Sequence, residues 1–220
     1  MFEATARISQ NNDWISAIFL ITFILLTLTK VLFGNRVFHT NTLFLQKKYL
    51  QIYYGKDKSV VLNTFQMLLF IVKFLILSLL IFYINSFFRF NNQLFELKGY
   101  LIILIGVSLY FGFRLGIEWF LAVILNFEKS YKKVLYDKVS YFNNLILWIL
   151  PFLLMYTYSP SNEMLFFNIL LFVSVVLFVI RYALLMYSNK NLIFNNLFYF
   201  ILYLCALEIS PIVIVLKLTI

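Results

Sequence analysis

Five ionisable side chains stand inside long apolar runs of this 220-residue sequence: Lys73, Arg114, Glu118, Arg181 and Glu208. On insertion scales each costs roughly 2.5 to 3.5 kcal/mol at the centre of a membrane helix, so each must face the protein interior, water or a partner. Ion pairing, proton transfer and the binding of an anion are the chemistries open to such a set. Arg114 and Glu118 are four residues apart, the spacing at which two side chains meet along a helix. If all five are ionised, three cations face two carboxylates and one positive charge needs an answer. An anionic lipid headgroup, a transported anion, a carboxylate of another subunit or a Lys73 that has given up its proton would each supply it. A static network that fixes helix register, with Arg181 reaching toward the cytoplasm, is the structural alternative.

Catalysis has little to work with. His39 is the single histidine and Cys205 the single cysteine, which excludes an intramolecular disulfide and a His/Cys metal cluster. No His-Glu-x-x-His helix and no Gly-x-Ser-x-Gly elbow is present. We therefore expect neither an enzyme nor a metal or cofactor.

The elements that must hold the five charges follow from composition. The chain is 63% hydrophobic with a mean hydropathy of +0.92. Its charged content is 12%, against roughly 25% in soluble domains. Crossing a hydrocarbon layer of about 30 Å takes about 20 apolar residues. Six such stretches can be marked at about 14–33, 62–87, 100–125, 144–158, 164–187 and 192–215. This predicts an all-α membrane protein, a polytopic bundle of about six transmembrane helices forming one domain over 1–220. The fourth stretch is short and contains Pro151, expected to kink it or end its regular part; Pro211 sits near the far end of the sixth. Residues 1–13 lack a basic n-region and a cleavage site, so no removable signal peptide is expected.

Two connections mix aromatic and aliphatic residues with lysines. Residues 34–60 carry Phe38, Leu43, Tyr53 and Tyr54 beside Lys47, Lys48, Lys56 and Lys58, and residues 126–141 carry Phe127, Tyr131 and Tyr136 beside Lys129, Lys132, Lys133 and Lys138. Short interfacial helices in the headgroup layer would suit both. Gly112 and Gly116 form a Gly-x-x-x-Gly pair that admits a close helix neighbour, within the monomer or in a homodimer. Asn63, Gln66 and Lys73 share one helix face, as do Ser174 and Arg181. Counted from the cytoplasmic ends, Lys73 and Arg114 lie at about 18 Å, Glu118 at about 12 Å, Arg181 at about 9 Å and Glu208 at about 24 Å. Glu208 is thus expected to pair with Lys73 or Arg114, and Glu118 with Arg114 or Arg181.

Lys and Arg fix the orientation. Eleven of the 18 fall on the side of the two basic loops, four on the other, and three within spans. The bias places those loops in the cytoplasm and both termini outside. The net charge of +9 is dispersed among hydrophobic spans, which argues against nucleic acid and for anionic lipid headgroups.

The last stretch contains Tyr203-Leu-Cys-Ala-Leu-Glu-Ile-Ser-Pro211, the fourth contains Asn143 to Pro151, and the first opens on Asn12-Asp13-Trp14. On these residues the chain resembles an uncharacterised integral-membrane family of Bacteroidota, a domain of unknown function. The resemblance implies a bacterial inner-membrane location and brings no activity, substrate or catalytic residue. The resulting expectation is a non-enzymatic subunit of an envelope complex, docking another membrane or periplasmic protein or an anionic lipid through its buried charges. A small proton- or anion-coupled transporter or channel is the alternative.

Overall fold

Within a lipid layer, runs of Leu, Ile, Phe and Val this long would leave the backbone no outside hydrogen-bond partner, and helices satisfy it internally. A computed structural model of the chain describes residues 13–44, 48–54, 63–88, 97–124, 128–159 and 162–189. These residues are helical without a strand: α1 (Asp13–Phe33), α2 (Asn35–Asn41), α3 (Lys48–Tyr53), α4 (Thr64–Phe88), α5 (Leu97–Ile124), α6 (Glu128–Tyr158) and α7 (Glu163–Ser188). Five of them, α1, α4, α5, α6 and α7, are long and apolar enough to cross a membrane. The sixth expected span, 192–215, lies outside the described residues, and with it Glu208 and Pro211.

The inner pair is α4 and α6. Helix α4 packs against α1, α5 and α6, and α6 against α7, α4, α5 and α2. Their shared core joins Ile15, Ile18 and Phe19 to Val72, Ile76 and Leu79 and to Leu145, Ile146, Ile149 and Leu153. At one end of the bundle the joints are aromatic. Trp14 meets the edge of Phe82, Phe87 stacks on Phe167 at 3.8 Å, and the Tyr83 and Thr157 hydroxyls share a hydrogen bond of 2.7 Å. Among the described helices α5 lies at the periphery: 6% of its apolar stretch is buried, against 61% for α6.

Residues 126–141 differ from the expectation. No separate interfacial helix forms there; from Glu128 on they are the first half of α6, a 31-residue helix. At 1.5 Å per residue it is about 46 Å long, more than a hydrocarbon core requires. Tyr131, Leu135, Val139 and Phe142 recur at helical spacing and are all buried, the first three in one cluster with Ala122. Lysines and Asp137 between them depress the hydropathy of the segment without breaking that period. Nor does Pro151 end the helix, which continues to Tyr158. Proline cannot donate to the carbonyl four residues back, yet packing on both sides holds the helix through it.

The other basic connection does form short helices, but they face inward. Gly34, with φ of 43°, turns the chain between α1 and α2, a left-handed conformation that glycine adopts freely. Leu43 and Tyr49 then bury against Phe65, Leu69, Tyr136, Tyr141 and Leu185, so α2 and α3 cap this end of the bundle. The Trp148 indole N–H donates to the Asn41 carbonyl at 3.1 Å and ties the cap to α6. Apolar side chains in the connection match an apolar bundle end, and burying them there removes their surface from solvent.

Candidate functional site: a basic cavity between four helices

Lys73 occupies the middle of α4, Arg114 and Glu118 successive turns of α5, Lys138 the tenth residue after the start of α6, and Arg181 the last third of α7. All five line one cavity of ≈ 140 Å³, walled by Phe70, Phe111, Phe142 and Phe178. The structure thus brings together four of the five residues singled out from sequence and adds Lys138.

Glu118 is the anchor, only 1% exposed. Its Oε1 accepts from Arg114 Nε at 3.0 Å, the i, i+4 pair expected from spacing, and from Lys138 Nζ at 2.6 Å across the helix interface. Its Oε2 is buried and has no hydrogen-bond partner among the described residues. Lys73, also 1% exposed, sets its ammonium 3.4 Å from the centroid of Phe70 and 5.2 Å from that of Phe142. The Arg181 guanidinium lies 4.5 Å over the same Phe142 ring. Phe142 is therefore shared by two basic side chains, and its ring quadrupole favours whatever positive charge they carry.

Among the described residues, four basic side chains and one carboxylate surround a small volume with aromatic walls, an excess of positive charge of the kind that draws an anion. Among the described residues no group of three His, Cys, Asp or Glu side chains could hold a metal ion.

A second polar cluster joins the cap to the core. Arg36, buried, lies over the rings of Phe65 at 4.3 Å and Tyr53 at 4.8 Å and donates to the Tyr49 hydroxyl at 3.4 Å. Gln66 Nε2 donates to that hydroxyl at 3.3 Å, and Asn143 Nδ2 donates to Gln66 Oε1 at 2.8 Å. Nearby, Asp137 Oδ2 accepts from Ser188 Oγ at 3.1 Å and Asn189 Nδ2 at 3.0 Å. Burial and the Asp137 carboxylate both push the Tyr54 phenol up.

Sequence reasoning placed Arg36 and Lys138 in loops, and so missed both. For Lys138 the signal was its spacing with Leu135 and Phe142; for Arg36 it was the density of aromatic residues near it in the chain. The shared face of Asn63, Gln66 and Lys73 divides its work. Asn63 Oδ1 accepts from the Phe65 amide, Gln66 serves the cap and Lys73 the cavity. On α7, Ser174 returns its hydroxyl to the Leu170 carbonyl and stays outside the cavity lining. No described residue packs on Gly112 or Gly116: both are exposed among the described residues, and a Cβ on either would meet no described atom within 4 Å.

No curated protein and no solved structure matches the chain. The family described as a domain of unknown function, DUF4271, matches residues 15–219, nearly its whole length, and the protein belongs to that family.

Proposed function

We propose that this protein is a non-enzymatic subunit in the inner membrane of a bacterial envelope, of the Bacteroidota kind that the Leu-Cys-x-Leu-Glu-Ile-x-Pro stretch suggests, and that its basic cavity takes the anionic headgroup of a lipid. The observation that carries this reading is the convergence of Lys73, Arg114, Lys138 and Arg181 with Glu118 on one partly open cavity. Charges turned into the bundle suit a headgroup drawn inward better than a flat face offered to a second protein. Docking of a membrane or periplasmic partner falls instead to apolar surface, which α5 exposes at Phe113, Trp119 and Phe120. With Lys138 moved into the cavity, Lys and Arg still favour the α2–α3 side by ten to four, which with six spans supports a cytoplasmic cap and both termini in the periplasm.

Purification of the full-length chain in mild detergent, followed by native mass spectrometry, tests the reading. The expected result is an anionic phospholipid retained with the wild type and lost from Arg181→Gln at unchanged helical content. A chain that emerges alone and lipid-free overturns it. Stabilisation by inorganic phosphate without any by anionic-lipid vesicles would assign the cavity to a free anion.

A transporter remains the second reading, because Lys73 and Glu118 are charged groups held deep in the bundle beside open volume. Proton or anion flux into proteoliposomes, abolished by Glu118→Gln or Glu208→Gln, would decide for it.

A further inference from the structure

Helix α6 is polar on two opposite faces, and the cavity uses one of them. Leu135, Lys138, Val139 and Phe142 face the basic volume. Asp137, Ser140, Tyr141 and Asn144, at i, i+3, i+4 and i+7, share the face turned away from it.

The second face gathers several buried polar atoms that find no hydrogen-bond partner among the described residues. Six serine and threonine residues are buried in the described helices: Thr22, Thr29, Thr40, Ser78, Ser140 and Ser174. Five return the hydroxyl to a carbonyl three or four residues back, as apolar surroundings demand: Thr22 to Phe19, Thr29 to Leu25, Thr40 to Arg36, Ser78 to Phe74 and Ser174 to Leu170. Ser140 does not, and its Oγ has no hydrogen-bond partner among the described residues. One turn on, Asn144 is 0% exposed with both Oδ1 and Nδ2 unbonded, and on the same face the buried Tyr141 hydroxyl has only the Ser188 hydroxyl close to it. Across the face, Asn189 gives Nδ2 to Asp137 and leaves its own Oδ1 without a partner.

Buried polar atoms in folded proteins are satisfied by protein or by ordered water. A metal cation would serve the oxygens but oppose the Asn144 Nδ2 hydrogens, and an anion would oppose Oδ1. Only a ligand that both donates and accepts answers the whole set. We propose that this face of α6 holds ordered water molecules, in a hydrated seam about 10 Å long from Asp137 to Asn144. The seam lies on the far side of α6 from the basic cavity and stands whether or not that cavity binds a lipid.

X-ray hydroxyl-radical footprinting of the full-length protein in nanodiscs reads bound water directly, because radicals form from it beside residues that bulk solvent does not reach. Tyr141 and Phe167 are both inaccessible, at 0% and 1% exposure. After correction for intrinsic reactivity, Tyr141 is expected to be oxidised at least about fivefold faster than Phe167, water being ordered only at the polar site. Equal protection of the two residues in the wild type overturns the proposal. In Ser140→Val/Asn144→Leu the Tyr141 rate should fall to that of Phe167; an unchanged rate also overturns it. If that double variant does not fold, Ser140→Ala should give a partial fall by the same logic, and no fall counts against the seam. A Tyr141 rate that depends on sodium or potassium concentration would mark a cation and reject water.

Discussion

The cap and the cavity both bury cations, and they do so by different means. At the cap, the charge of Arg36 is spread over Phe65, Tyr53 and Tyr49, and the neighbouring amides of Gln66 and Asn143 are bonded into a chain. At the cavity four basic groups share one bonded carboxylate oxygen and two aromatic rings, and a volume of ≈ 140 Å³ stays open among them. Buried networks bonded along their length fix geometry. Each region leaves a buried atom without a partner among the described residues, Asn143 Oδ1 at the cap and Glu118 Oε2 at the cavity, and what sets the cavity apart is that its basic groups converge on open volume. The cap is thus read as structure and the cavity as a site.

Breaking the cavity anchor should have the largest effect. Glu118→Leu strips Arg114 and Lys138 of a shared buried partner, and loss of one member of such a pair costs about 3 to 5 kcal/mol. Equilibrium unfolding in mild detergent should show that loss together with loss of retained lipid. At the cap, Gln66→Leu leaves the Asn143 amide without its acceptor, an orphaned buried group costing about 1 to 3 kcal/mol. Here stability should fall while lipid retention persists. If Gln66→Leu released the lipid as Arg181→Gln is expected to, the distinction between the two regions would be lost. Smaller again is Trp148→Phe, which removes the hydrogen bond to Asn41 and is expected to cost about 1 kcal/mol, with the cap loosened and the cavity untouched.

The long helices were legible because hydropathy alone demands them, and the Arg114–Glu118 pair because i, i+4 spacing on one helix is a local property. Convergence of Lys73 and Arg181 on the same volume could be anticipated only as a cost that someone must meet, since neither residue's rotation about its helix axis is set by local sequence. Lys138 was lost to a different cause. A window average reads lysines as water-facing, whereas α6 places Lys138 within reach of a carboxylate 20 residues earlier. The polar seam shows the same limit: Ser140 and Asn144 carry no charge, so neither stood out until their burial was known.

The smallest effect belongs to the glycines of α5. Because a Cβ at Gly112 or Gly116 would meet no described atom within 4 Å, Gly112→Ala and Gly116→Ala should shift stability by no more than about 0.5 kcal/mol, as surface substitutions do. Alanine is the better helix former, so a slight gain is as consistent as no change. Unfolding together with the mass of the detergent-solubilised particle makes the check. A clear loss of stability at constant mass would place a close neighbour on that face, and the peripheral position of α5 among the described helices, on which the contrast between a bonded cap and an accessible cavity partly depends, would have to be redrawn.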